Sequence, residues 1–282
     1  LHLLSNKPAS EIASSPEYIS FRGTVPQRKV IVDEDGSKVW TYYDHGPRNI
    51  SCPLVCLPPI SGTADVFFKQ ILTLTARGYR VISLEYPVYW TMRDWVSGFR
   101  KLLDHLQLDK VHVLGASLGG FLAQKFAECT HTCPRIQSLV LCNSFSDTSI
   151  FSYTDTAVLF WLFPSMVLKR MVMGSYTTHA VDSDIADSMD FMVEKVGAPS
   201  FLAASKILSF QTPGTFYQCP GTGFLTFSPC PRGQVFDTSA LSQQVKEDLY
   251  KLYPHAKRAH LKRGGNFPYL SRSDEVSMHL QV

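Results

Sequence analysis

Short apolar runs along this chain alternate with longer stretches whose apolar positions recur at helical spacing. Lys29-Val30-Ile31-Val32 and Lys38-Val39-Trp40-Thr41-Tyr42 flank Asp35-Gly36, which predicts an opening β-hairpin. Leu54-Val55-Cys56-Leu57 is an apolar run closed by Pro58-Pro59 and suits a buried strand. From Asp65 the positions Val66, Phe67, Ile71, Leu72 and Leu74 predict a helix that closes at Gly78. Arg80 to Leu84 is strand-like again. Trp95 to Leu106 carries Phe99, Leu102, Leu103 and Leu106 on one helical face. Val111–Leu114 predicts a strand, Leu118–Glu128 a helix, and Leu139–Cys142 another buried strand.

Strands alternating with helices imply a mostly parallel sheet wrapped by helices on both faces, with the opening hairpin at its edge. Active residues on such sheets gather at the carboxyl ends of the strands. From Phe151 to about Val196 the pattern turns helical, aromatic and methionine-rich, as a helical cap would be. Gly197 to Gln234 is rich in turn signals, such as Gln211-Thr212-Pro213-Gly214 and Ser228-Pro229-Cys230-Pro231. A core strand is needed there, and Phe224–Phe227 or Gln234–Phe236 are its two candidates. A helix from about Leu241 to Tyr253, a strand around Ala259–Leu261 and the turn Gly264–Pro268 complete the pattern.

Gly115-Ala116-Ser117-Leu118-Gly119 sits between the strand ending at Leu114 and the helix that follows. Strand, sharp turn and helix are the context of a nucleophile elbow, which lifts a serine hydroxyl clear of the sheet. The bare pattern arises in about one chain of this length in ten, so its weight comes from the flanking elements. Glycines two residues either side avoid collision in the tight turn.

A serine hydroxyl needs a histidine base, and the histidine needs an orienting carboxylate. In the chain order of this architecture the acid precedes the histidine. Asp237 suits the acid, and equally suits the N-cap region of the helix from about Leu241; Asp147 is a second possible acid. The histidine belongs in the loop Gly264-Gly265-Asn266-Phe267-Pro268, where Asn266 occupies its place. An asparagine can donate a hydrogen bond but cannot accept a proton near neutral pH. His112, His255, His260 and His279 are the substitutes weighed, each better explained as an edge, surface or core residue. The backbone N–H groups of Leu118 and Ile60 are the candidate oxyanion donors.

Composition removes several alternatives. The chain has 282 residues, 45% hydrophobic and 18% charged, with a formal net charge of +3. That is too little charge to argue for nucleic acid, and no apolar stretch reaches the length of a membrane span. Leu1–Leu4 is too short for the core of a signal peptide. Seven cysteines show no disulfide framework. Cys129-Thr130-His131-Thr132-Cys133 lacks a second ligand pair of suitable spacing, so reduced thiols are expected, with no metal and no cofactor.

Phe21–Pro26, Leu57–Phe68, Leu102–Lys110, the Ser117 elbow and Gly264–Leu270 together closely resemble the maspardin family. These are α/β-hydrolase-fold proteins associated with a hereditary spastic paraplegia. The resemblance covers roughly residues 16–196 and 235–276. It implies an α/β-hydrolase fold over 16–282, with a cap at about 148–196 and an atypical segment at 197–234. Residues 1–15 are expected to be disordered or unlike the family, and the helical tail after Glu275 is expected to be short. For segment 197–234 the departure from the family is expected to reflect an altered reading frame, an alternative exon or a gene-model error.

The resemblance further implies a non-catalytic or weakly active protein of the cytosol, peripherally associated with endosomal and trans-Golgi membranes. Its implied partners are the cytoplasmic tail of the helper T-cell co-receptor, whose signalling it would dampen, and an aldehyde dehydrogenase relative. The alternative is a serine esterase or thioesterase using Ser117 with an unconventional base.

Overall fold

The computed structural model describes residues 10–60, 62–148, 182–195, 223–229, 243–261 and 264–281. Eight strands form one sheet: β1 (Gln27–Ile31), β2 (Val39–His45), β3 (Leu54–Leu57), β4 (Val81–Glu85), β5 (Val111–Ala116), β6 (Ile136–Cys142), β7 (Gly223–Pro229) and β8 (Lys257–Leu261). Their spatial order is β1-β2-β4-β3-β5-β6-β7-β8. β1 and β2 pair antiparallel, as do β2 and β4, and every later pair is parallel.

Helices α1 (Glu11–Ser14), α2 (Pro16–Thr24), α3 (Phe68–Thr75), α4 (Met92–His105), α5 (Leu118–Cys129), α6 (Ser183–Lys195), α7 (Gln243–Leu252), α8 (Pro268–Ser271) and α9 (Ser273–His279) flank it. A 3-10 turn, Ala64–Phe67, leads into α3, so the helix expected from Asp65 starts as a tighter coil. Thr91 caps α4 by accepting a hydrogen bond from the Asp94 amide. α4 buries Trp95, Phe99, Leu102 and Leu103 on one face, the stripe that its sequence spacing predicted.

Two cores lie on opposite faces of the sheet. One joins Trp40, Val113 and Leu139 to α4, α5 and α7; the other joins Tyr43, Leu114 and Val140 to α2, α3, α6 and α8. Val113 and Leu114 enter different cores because successive strand side chains alternate faces. With both faces covered, the parallel strands read as continuous apolar runs.

The structure corrects one expectation and decides between two candidates for another. Residues 10–15 are not disordered: Ser10 and Ser15 cap α1 and α2, and Pro16 opens α2. In the atypical segment, Gly223–Pro229 pairs with both β6 and β8, so the sheet is continuous there. The Phe224–Phe227 candidate is thus the core strand, while Gln234–Phe236 lies outside the described residues. Of the expected cap, residues 149–181 lie outside the description, and its last part is the helix α6.

Candidate functional site

The turn between β5 and α5 places Ser117 at φ 48° and ψ −114°, a conformation that strains any residue with a Cβ. The sheet holds it there. Its amide donates to the Cys142 carbonyl of β6 at 2.9 Å, and its own carbonyl accepts from the Gly120 amide at 3.1 Å and the Ser144 hydroxyl at 2.9 Å. A Cβ on Gly115 would overlap the Gly120 backbone, and one on Gly119 would overlap the carbonyls of Leu57 and Pro58. Gly120 is equally required, because a Cβ there would overlap the Ser144 side chain. Ser117 is half-buried, and its hydroxyl has no hydrogen-bond partner among the described residues.

Leu118 is the first residue of α5, so its N–H is among those a helix leaves without an internal acceptor. The close fit of Gly119 against Leu57 and Pro58 brings this helix start against the loop after β3. Ile60 lies in that loop and packs on the core, and the Gly62 amide closes its turn on the Pro59 carbonyl at 3.0 Å. The two candidate oxyanion donors therefore share one end of the sheet.

Asn266 reaches the same end through a residue that the sequence pattern did not single out. Asn143 follows β6 directly, with a left-handed φ of 45°. Its side-chain amide donates to the carbonyls of Gly265 and Asn266, each at 3.1 Å. Cys142 holds Ser117 and its neighbour Asn143 holds Asn266. The Asn143 Oδ1 atom is buried without a partner among the described residues. The available signal was the polar pair Asn143-Ser144 directly after an apolar strand: Ser144 braces the elbow and Asn143 the loop. Further back, the buried Gln124 of α5 donates to the Phe145 carbonyl at 2.9 Å and accepts from the Tyr253 hydroxyl at 3.2 Å.

The rest of the candidate triad is not assembled among the described residues. Asp237 lies outside them, and Asp147 is exposed. His112 sits five residues before Ser117 in β5, its Nδ1 2.6 Å from the Ser138 hydroxyl, and burial pushes its pKa down. His255 and His260 are exposed at β8, and His279 lies in α9. None of these histidines is hydrogen-bonded to Ser117. Among the described residues no three His, Cys, Asp or Glu side chains come together as a metal site, and no helix is long and apolar enough to cross a membrane.

Two carboxylates, Asp65 and Glu85, lie beyond the Ile60 loop, around the 3-10 turn. Asp65, 3% exposed in the 3-10 turn after the Ile60 loop, accepts from the hydroxyls of Thr63 and Tyr18 and pairs with Lys195 at 3.1 Å. Burial works against its charge. The hydroxyl hydrogen bonds and the Lys195 ammonium outweigh it and hold the carboxyl below its ordinary range. Glu85, at the end of β4, goes the other way: burial pushes its pKa up, although it accepts from the Ala64 amide.

Comparison with known proteins agrees with this fold. Residues 53–247 match the model of the alpha/beta hydrolase fold. Maspardin of Homo sapiens is 58% identical over 96% of this chain and 87% of its own length, and maspardin of Danio rerio 55% over 96% and 86%. Among solved structures, a carboxylesterase study from the thaumarchaeon Nitrososphaera gargenis superposes with a TM-score of 0.73 at 20% identity. That alignment covers 90% of this chain and 96% of the other.

Proposed function

This chain belongs to the maspardin family, on the α/β-hydrolase fold, and on that premise we propose that it is a binding scaffold rather than a working hydrolase. The observation that carries this reading is Asn266, whose backbone carbonyl accepts from Asn143, in the loop where the sequence pattern of this architecture expects the base. Its side chain cannot take the proton of a serine hydroxyl near neutral pH. Losing the histidine of such a triad costs up to about a million-fold in rate. Ser117 then keeps the position of a nucleophile without its activation, with Asp237 at the acid position and the Leu118 and Ile60 amides at the oxyanion position.

The family likeness supports a protein-binding role in the cytosol, with peripheral association at endosomal and trans-Golgi membranes. The partners proposed on that basis are the cytoplasmic tail of the helper T-cell co-receptor, as a brake on its signalling, and an aldehyde dehydrogenase relative. Binding of a synthetic co-receptor tail peptide to the full chain tests the first partner. The reading expects measurable affinity, unchanged by Ser117→Ala; no binding at high micromolar peptide would remove that partner.

One observation favours a second reading, a weak esterase or thioesterase. The strained Ser117 turn persists at the start of α5, where Leu118 lacks an intrahelical acceptor for its amide, and strain of about 1–3 kcal/mol is usually kept where it serves chemistry. A base from outside the described residues would be required.

A further inference from the structure

β1 is an edge strand: it pairs with β2 on one side, and no described strand lies on the other. Which of its backbone groups face outward follows from that pairing. The Val32 amide donates to the Lys38 carbonyl at 3.2 Å, so these two residues form a hydrogen-bonded pair. Counting back along the register from Ile31↔Val39 to Gln27↔Tyr43, Val30 and Arg28 also bond to β2. Gln27, Lys29 and Ile31 therefore turn their N–H and C=O groups away from the sheet. Those groups have no hydrogen-bond partner among the described residues.

Natural edges are often blunted by a bulge, a proline or a charge. β1 has neither bulge nor proline, since its register is unbroken over Gln27–Ile31 and Pro26 stands outside it. Val30 enters the first core, so Gln27, Lys29 and Ile31 lie on the opposite face of the sheet. There Ile31, 58% exposed, stands directly across from Val39, 36% exposed, and the two leave an apolar pair in solvent. Arg28 and Lys29 are exposed beside them, with no ion pair among the described residues. Lys29 shares a cross-sheet row with Thr41 and Glu85, and the nearest carboxylate on that row is thus two strands away.

These two cations select what the edge can accept. A two-fold pairing with a second copy, centred on Lys29 in the middle of β1, sets that ammonium against its own copy. A strand that bears carboxylates meets the same cations favourably.

We infer that the outer edge of β1 takes up an extended segment of a partner protein as an added antiparallel strand. The segment carries an apolar residue opposite Ile31 and, two and three residues later, carboxylates opposite Lys29 and Arg28. Backbone bonds supply the affinity, and the side-chain pairs supply the choice of partner. β2, β4 and β3 separate this edge from β5. The inference thus goes beyond the scaffold reading and does not depend on Ser117.

Fluorescence anisotropy of a blocked, fluorescein-labelled peptide, Thr-Val-Thr-Glu-Glu-Thr, tests the site on the full chain. The expected result is saturable binding, weakened about tenfold or more in the double variant Arg28→Glu/Lys29→Glu. A peptide with lysines in place of the glutamates should bind that variant better than wild type. N-methylation of the first glutamate, whose amide faces β1, should weaken binding about tenfold or more. N-methylation of the threonine before it, whose amide faces away, should leave binding unchanged. No saturable binding at millimolar peptide overturns the proposal, as does equal affinity in the double variant or indifference to which amide is methylated. Sedimentation of the chain alone tests the other occupant: a dimer that Ile31→Lys abolishes assigns the edge to a second copy and overturns the proposal as well.

Discussion

Asn143, the residue after β6, donates its side-chain amide to the backbone carbonyl of Asn266 at 3.1 Å, across 123 positions of sequence. That bond fixes a loop whose own side chain cannot act as a base, and it does so from a left-handed backbone that asparagine tolerates better than most residues. The loop is the one in which the sequence pattern of this architecture expects a histidine.

Asn143→Ala should therefore cost about 2–3 kcal/mol, from two lost hydrogen bonds and a left-handed alanine. Asn143→Gly, which suits the backbone but loses the same bonds, should cost about 1–2 kcal/mol. Urea unfolding of the two variants measures this; stabilities equal to wild type would mean the amide does not hold the loop.

The elbow glycines divide sharply from an ordinary one. Gly119→Ala should destabilise by about 3 kcal/mol or more, because its Cβ meets backbone carbonyls of β3 and its loop. Gly23→Ala, in α2 with open space around it, should be neutral or stabilising by up to about 1 kcal/mol. Ser117→Gly should stabilise the fold by about 1 kcal/mol or more by relieving the positive φ. Thermal melts of the three variants give the order directly.

Two groups, one half-buried and one buried, set the pH response in separate windows. His112 has its pKa pushed down by burial, so the folded chain prefers it neutral. Its contribution is present above about pH 6.5, the unfolded value, and fades as pH falls through the lower folded value. Asp65 is also held below its ordinary value, burial being outweighed by its hydrogen bonds and Lys195. Its contribution is complete above about pH 4 and is lost only in stronger acid. Unfolding free energies from pH 7 to pH 3 should thus show less decline between pH 6.5 and 5 in His112→Gln, and a flatter acid limb in Asp65→Asn. Unaltered profiles would remove these groups as the cause.

Much of the sheet was legible in advance because its strands are buried on both faces, so Leu54–Leu57, Val111–Leu114 and Leu139–Cys142 each announce themselves. The elbow was equally legible, since its glycines are demanded by local backbone contacts. Ser10, Ser15 and Pro16 carried ordinary cap signals, but α1 is a four-residue turn held by carboxylates 175 or more positions away. Gly223–Pro229 was obscured by its turn-rich surroundings and is a strand through its pairing with β6 and β8. The Asp65–Lys195 pair was invisible for a similar reason, and Asn143 showed only as a polar residue after an apolar strand: their roles exist only once distant segments meet.

Asn266→His should raise Ser117 reactivity if the remaining triad geometry is intact, read as faster hydrolysis of a p-nitrophenyl ester than wild type. A folded variant with no gain would show that more than the base has been lost.

The most direct measurement is intact-mass analysis of the full chain after incubation with a fluorophosphonate, beside Ser117→Ala. A scaffold without a base predicts no adduct above the Ser117→Ala background over hours. Stoichiometric labelling that disappears in Ser117→Ala would contradict it and make this chain a serine hydrolase.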